Sequence, residues 1–326
     1  MTIKKAVGTL NILRKQYIFS ERRCNNCSMT LVPKFPNKVQ HLLNFSFPVI
    51  RRLCRKTFKE RFVGGRKGYD REFLFALLLV KKATNWSYRT VAEMGEVSHS
   101  TLVRANSFFL KHRVYEKVFS KLVKTAHEKG LINGKFIALD SSFVHTFSKH
   151  GELGSEGWNE FKEAYGFKLH LLVDCETKFP MSLCITNGLA SDNTLAIPLL
   201  KKAKHYLKSC GYVLADKGYD DGNIIDWIVK ELHAKAGIPI RRKSRLAKGK
   251  TNRYGNLLNW QTKAFGRTFK KTIYNKRTQV ERSFSMIKRT YHLGHEETRG
   301  ILAFAKNVYL SLICYMLSLF NIAISI

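Results

Sequence analysis

Residues 135–144 read KFIALDSSFV, and the fold turns on how that stretch is taken. Four apolar residues, 137–139 with Phe136, run into a single carboxylate at Asp140, the pattern of a buried strand that delivers a charge at its end. Two further strand patterns follow, FKLHLLVDC at 167–175 and PMSLCITNG at 180–188, joined by the turn-like Glu176-Thr177-Lys178. Beyond them the pattern alternates. A helix at 194–208 precedes a short apolar strand, GYVLADKG at 211–218, then a helix at 223–232, a strand around GIPIRR and a last helix at 275–290. Three strands followed by strand-helix alternation predict an α/β mixed sheet flanked by helices.

Upstream, residues 70–127 carry helical periodicity in three runs. Asp70, Ser87 and Ser98 stand where N-caps belong. The second and third runs are separated by Gly95-Glu96-Val97, the short turn of a helix-turn-helix, which would set His99, Ser100, Thr101 and Arg104 toward base edges; a structural helical hairpin reads the same way. Residues 1–60 form a basic arm broken by Pro33, Pro36 and Pro48. The predicted division is therefore an arm at 1–60, a helical DNA-binding domain at 61–130 and a catalytic domain at 131–326.

The charge balance names the partner class. With 57 Lys and Arg against 24 Asp and Glu, the chain carries +33 at a pI near 10.0, and a polyanion relieves that self-repulsion by neutralising phosphates. An aromatic content of 12% argues against a disordered basic tail and for a folded nucleic-acid-binding protein. The seven cysteines have no regular spacing, which implies a reducing compartment; Cys24 and Cys27 have the spacing of one half of a zinc site, with His41 or Cys54 as candidate partners, and read as ordinary thiols. No signal peptide is read at the N-terminus. Residues 307–326 are uncharged and long enough to span a bilayer, but Asn307, Ser311, Ser318, Asn321 and Ser325 interrupt them, so a buried C-terminal helix is the expectation and a membrane anchor the lesser one.

Three carboxylates stand out. Asp140 ends the run FIAL and Asp216 ends the run YVLA, so both sit at the carboxyl ends of buried strands, where a shared divalent cation would compensate charges that are otherwise costly to bury. Between Arg241 and Arg289 there are sixteen Lys and Arg and one acidic residue, Glu281. At about 100° per residue Arg277, Glu281 and Lys288 fall within about 40° of one another. Tyr274 lies just beyond. Val280, Phe284 and Ile287 form the adjoining apolar stripe, which would dock the helix on the sheet and turn Glu281 toward the aspartates.

The spacing Tyr274-x2-Arg277-x3-Glu281-x6-Lys288 resembles the signature around the catalytic glutamate of DDE transposases of prokaryotic insertion sequences. Ala138-Leu139-Asp140-Ser141-Ser142 is similar to that family's first-aspartate motif, Gly166-Phe167-Lys168-Leu169-His170 to the strand after it, and Ala215-Asp216-Lys217-Gly218-Tyr219-Asp220 to the second-aspartate motif. The resemblance covers roughly residues 135–290. It implies an RNase H-like catalytic domain whose first and fourth strands present Asp140 and Asp216, with Glu281 on a later helix; the short span from Asp216 to Glu281 leaves little room for the large β insertion of some relatives, and none is expected.

By the same resemblance the triad Asp140, Asp216 and Glu281 binds two Mg²⁺ ions, with Mn²⁺ as a substitute. Water then cuts a transposon end, and the freed 3′-hydroxyl attacks target DNA. Arg277 and Lys288 are expected to clamp phosphates, with Tyr274 beside them; His170 is expected near the scissile phosphate or packed in the sheet. Arg241, Arg242, Lys243 and Arg245 begin a basic run along the backbone, with Tyr254, Trp260 and Phe265 able to stack bases. Asp174 reads as structural, Asp192 as a helix N-cap, and Asp220 and Asp221 as lying past the strand. Glu152, Glu156, Glu160 and Glu163 form an acidic patch without an assigned role.

The implied partners are double-stranded DNA, as terminal repeats and as target, and a second copy of the chain, in the cytoplasm at the nucleoid. An RNase H-like nuclease without strand transfer and a silent transposase-derived DNA-binding protein are the competing readings. The first keeps the same carboxylates; the second would lose one, and none is lost.

Overall fold

The structure, a computed structural model, describes residues 69, 71–146, 157–160, 162–239, 271–296 and 300–324. Asp70, the cysteines at 24, 27 and 54, Glu152, Glu156, the basic run from Arg241 through Arg253, and Tyr254, Trp260 and Phe265 lie outside the described residues, as does the expectation of no β insertion. The chain divides into two compact units: Met1–Lys121 with Tyr309–Ile326, and Leu122–Val308. The residues from Tyr309 onward thus cluster with the N-terminal helices, where the sequence reading had grouped them with the catalytic region.

In the first unit, α1 (Arg71–Thr84), α2 (Tyr88–Met94) and α3 (His99–Lys111) follow one another, and α4 (Val114–Glu128) begins there. Ser87 accepts from the Thr90 amide and Ser98 from the Thr101 amide, each at 3.1 Å, so both predicted caps form. Between α2 and α3 the left-handed position belongs to Glu96, at φ 52°, while Gly95 stays right-handed. Gly95 packs close to Leu77: a Cβ there would lie 2.5 Å from Leu77 Cδ1 and would make that side chain shift. Phe75, Phe109 and Tyr115 pack ring against ring in the core, and the buried Asn106 accepts from the Tyr115 hydroxyl at 2.6 Å. His99, Ser100 and Arg104 stay exposed on α3.

Among the described residues four helices stand where three were read: the third ends at Lys111, close to its reading, and α4, which follows a left-handed Arg113 at φ 54°, was not read. The last helix, α8 (Ile301–Ile324), is long and apolar enough to cross a membrane, with mean hydropathy 1.5 over Ile301–Phe320. Its packing is that of a core helix: every residue from Val308 to Leu317 except Tyr309 is buried.

The second unit holds the sheet. Its strands are β1 (Phe136–Thr146), β2 (Gly157–Asn159), β3 (Ala164–Asp174), β4 (Pro180–Asn187), β5 (Tyr212–Leu214), β6 (Lys235–Gly237) and β7 (His295–Glu296). The order is β2-β3-β1-β5-β6; β4 lies beside β2 on the far edge of β3, and β7 extends β1. β1 and β3 are antiparallel, whereas β5 and β6 join parallel to β1, a mixed sheet as predicted. The short β2 was not read, and β6 begins two residues before the GIPIRR reading and meets it at Gly237. Helices α5 (Asp192–Ala203), α6 (Gly222–Leu232) and α7 (Thr278–Thr290) complete the unit.

Candidate active site

The β1–β5 ladder positions two carboxylates. Its last pair is Ala138 with Leu214. Asp140 and Asp216 each stand two residues beyond that pair, and because side chains alternate along a strand they leave neighbouring parallel strands at matching places. Asp140 does not end its strand, as the sequence reading supposed; β1 continues to Thr146 with β3 alongside, and only the pairing with β5 stops.

Backbone amides fix one oxygen of each aspartate. The Ser141 amide donates to Asp140 Oδ1 at 2.8 Å, and the Gly218 amide to Asp216 Oδ1 at 2.5 Å. The second contact caps the 3₁₀ turn Lys217–Tyr219, which explains the glycine, since a Cβ at 218 would lie 2.7 Å from Asp216 Oδ1.

The third carboxylate comes from α7. A helical turn, Lys271–Tyr274, and a 3₁₀ turn, Asn275–Arg277, lead into it, and Val280, Ser283, Phe284 and Ile287 are its buried residues, the stripe read from the sequence with Ser283 added. Arg277 Nη1 donates to Asp140 Oδ2 at 3.3 Å while Nη2 donates to Glu281 Oε1 at 2.5 Å. One guanidinium therefore ties the helix glutamate to the strand aspartate. The Tyr274 ring lies 5.7 Å from that guanidinium.

Burial is the largest influence on Asp140 and raises its carboxyl to about 6; the Ser141 amide and Arg277 oppose the rise, and the charges of Asp216 and Glu281 add to it. Three carboxylates press on one another with a single guanidinium between them. That surplus of negative charge on a half-buried patch is what a divalent cation compensates, so the donor set fits a hard metal ion. Among the described residues no three His, Cys, Asp or Glu side chains are drawn tight enough to enclose one; Arg277 stands between two of the candidates.

Other residues take roles that the sequence reading did not give them. Lys288 Nζ donates to the Phe143 carbonyl at 2.6 Å, so its ammonium holds α7 to β1, and burial lowers its pKa. Of the two places read for His170, the structure has the packed one: the side chain is fully buried, Nε2 pairs with Thr186 Oγ1 at 2.9 Å, and burial lowers the ring to about 4. The reading of Asp192 is corrected. Ser191 is the cap residue of α5, and Asp192 accepts from Lys168 at 3.3 Å with its Oδ1 3.8 Å from His170 Nδ1. Asp174 is structural, as read, accepting from the amides of Gly134, Glu176 and Thr177. Asp221 caps α6. Burial pushes the thiols of Cys175 and Cys210 up to about 12, which suits inert core residues.

Two contributors were missed. Lys276 lies 4.0 Å from the Phe136 ring centroid and 3.8 Å from Glu176, pinning the turn that aims Arg277; nothing in its spacing distinguished it from neighbouring cations. Tyr219 is buried, and burial and the charges of Asp192, Asp140 and Asp216 raise its hydroxyl above the ordinary value. Its place in the Asp216 motif was a signal that went unused.

The family model described as Transposase DDE domain matches residues 133–317, more than half of the chain. This chain belongs to the transposase DDE domain family. A search of curated proteins finds no match. Among solved structures, the piggyBac transposase synaptic complex with hairpin DNA is similar at 11% identity and TM-score 0.47, covering 94% of this chain and 78% of that one. The Mos1 transposase paired-end complex with left transposon end aligns at 12% identity and TM-score 0.24, covering 88% of this chain and 93% of that one. At these scores it is the family match that identifies this DDE transposase as a DNA-acting enzyme. Its mixed sheet and flanking helices carry all three sequence-predicted carboxylates within the matched span.

Proposed function

We propose that this transposase cleaves transposon ends and joins them to target DNA with Asp140, Asp216 and Glu281 as its catalytic carboxylates and metal ligands. The observation that carries the reading is the matched placement of the two aspartates, one within β1 and one just past β5, with Glu281 tied to the first of them through Arg277. The three would hold two Mg²⁺ ions, or Mn²⁺ in their place, which when bound activate the attacking water or 3′-hydroxyl and stabilise the leaving oxygen. Hard oxygen donors and the absence of any soft ligand among them suit these ions.

The chain's own residues do the positioning. The Ser141 and Gly218 amides aim the aspartates, and Lys288 fixes α7 against β1. Arg277 supplies a planar donor fork for a backbone phosphate next to the cut, with Tyr274 beside it. On the helical unit, Arg104 and the start of α3 are the surface for reading terminal repeats, as the second helix of a helix-turn-helix. Arg241, Arg242, Lys243 and Arg245 extend the phosphate track. Two copies of the chain pair the two ends, acting on the nucleoid in the cytoplasm, and the functional division is an arm at 1–60, a DNA-binding region at 61–130 and a catalytic region beyond.

The test is cleavage and strand transfer on a labelled duplex carrying the terminal repeats that flank the gene, in Mg²⁺, with wild type against Glu281→Gln. Cutting and joining that the variant loses while still binding DNA supports the reading. Cutting without joining in the wild type points to a nuclease, and binding without chemistry to a silent DNA-binding protein.

A further inference from the structure

The guanidinium of Arg277 donates to the oxygens that a metal ion would need. Asp140 Oδ1 is already committed to the Ser141 amide, so Oδ2 is the freer atom, and Arg277 Nη1 holds it at 3.3 Å. On its other side Nη2 holds Glu281 Oε1 at 2.5 Å. A cation coordinated by the same two carboxylates meets both the positive charge and the bulk of that side chain. On those two oxygens the cation and the guanidinium compete.

The seat of Arg277 is also incomplete. Its side chain is 17% exposed, yet Nε is buried without a hydrogen-bond acceptor. A guanidinium with five donors and an unsatisfied buried N–H is better served by a phosphate, whose oxygens accept a planar fork in pairs. Lys276, anchored on Phe136 and Glu176, holds the turn from which Arg277 projects, so the side chain can change partners without moving the backbone that carries it.

We propose that Arg277 is an exchangeable counter-ion, holding Asp140 and Glu281 together until a divalent cation displaces it and frees its guanidinium for a DNA phosphate. The inference rests on the reading of Asp140 and Glu281 as metal ligands and adds a coupling to it. Whatever draws Arg277 off the carboxylates tightens metal binding, and metal binding tightens the phosphate contact by the same factor, because linkage is reciprocal. The enzyme is thereby loaded with metal most readily when DNA is in place.

The experiment is Mn²⁺ binding to the full-length protein at pH 7.5, read from the electron paramagnetic resonance of free Mn²⁺, with and without an unlabelled duplex. Arg277→Gln is expected to bind Mn²⁺ alone roughly tenfold more tightly than wild type, with Arg277→Lys between them because one ammonium cannot bridge both carboxylates. The duplex is expected to tighten Mn²⁺ binding in wild type and to leave Arg277→Gln unchanged. Equal or weaker Mn²⁺ binding by Arg277→Gln overturns the exchange. Asp140→Asn separates the two claims: if it binds Mn²⁺ as wild type does, the ligand assignment fails and the exchange with it, whereas if it loses Mn²⁺ and Arg277→Gln gains none, only the exchange fails. Should Arg277→Gln not fold, Arg277→Lys carries the same comparison, and an affinity no higher than wild type overturns the exchange.

Discussion

On one face of β1 and β3, Asp140 keeps a partly open carboxyl among two like charges, and on the other, one register position along, His170 is sealed in. Both are polar side chains in the middle of an apolar sheet, and burial shifts both away from their ordinary pKa, Asp140 up to about 6 and His170 down to about 4. The difference lies in what answers them. Thr186, Lys168 and Asp192 surround the histidine with neutral or mutually compensating groups, so that face carries no surplus charge, although Nδ1, 3.8 Å from Asp192 Oδ1, is buried without a hydrogen bond. Around Asp140 the carboxylates outnumber the guanidinium, and that face is left needing a cation. A perturbed group marks a working site when its surroundings leave charge over, and a structural one when they do not.

Substitutions should separate the faces by kind of effect as well as by size. Asp140→Asn or Glu281→Gln is expected to cut strand cleavage by more than roughly a hundredfold while DNA binding, measured by gel shift, holds. Equal loss of both would remove the distinction. On the opposite face the expected effect is on stability. A histidine that stays neutral when folded and takes up a proton near pH 6.5 when unfolded leaves stability untouched above pH 6.5. It then costs stability as pH falls toward 4, by about 3 kcal/mol in total. Urea unfolding at pH 7.5 and 5 should show that slope and find it flattened in His170→Gln; a slope that survives the substitution assigns it elsewhere.

Lys288→Met should sharpen the comparison at intermediate size. Losing the bond to the Phe143 carbonyl is expected to cost about 1–3 kcal/mol and to loosen α7, lowering cleavage more than Mn²⁺ affinity. Smallest is Ser182→Ala, which removes a buried bond to the Leu199 carbonyl on the histidine face. About 1 kcal/mol is expected in a thermal melt, with cleavage unchanged; a change in cleavage would tie that face to the chemistry.

How far the sequence could be read follows the same physics. β1, β3, β4 and α7 were legible because an apolar run or stripe states its own burial, and the three carboxylates because each interrupts such a pattern or stands alone among cations. The helix α4 was not, since it follows a left-handed Arg113 with no glycine, proline or capping residue to announce a new start. Nor was β2, three residues held by pairing to β3 rather than by any pattern of their own. Partners were the least legible. The sequence put Arg277 beside Glu281 on one helix, but its second hydrogen bond, to Asp140, crosses 137 residues of chain. His170 in the family-like strand motif gave no sign of which face it would enter.

Asp140 lies inside a continuous strand, gripped on both edges of its neighbourhood by β3 and β5, whereas Glu281 hangs from a helix entered through a 3₁₀ turn. The site therefore has an anvil and a latch. Asp140 has no play, because sliding its strand by one residue would turn every side chain to the wrong face, and Asp216 just past β5 is held by the Gly218 amide. Adjustment of the third comes through the torsions of the Glu281 side chain itself, half exposed on a helix that Lys288 and the buried stripe hold to the sheet, so the tolerance of the whole site is set by that one long side chain.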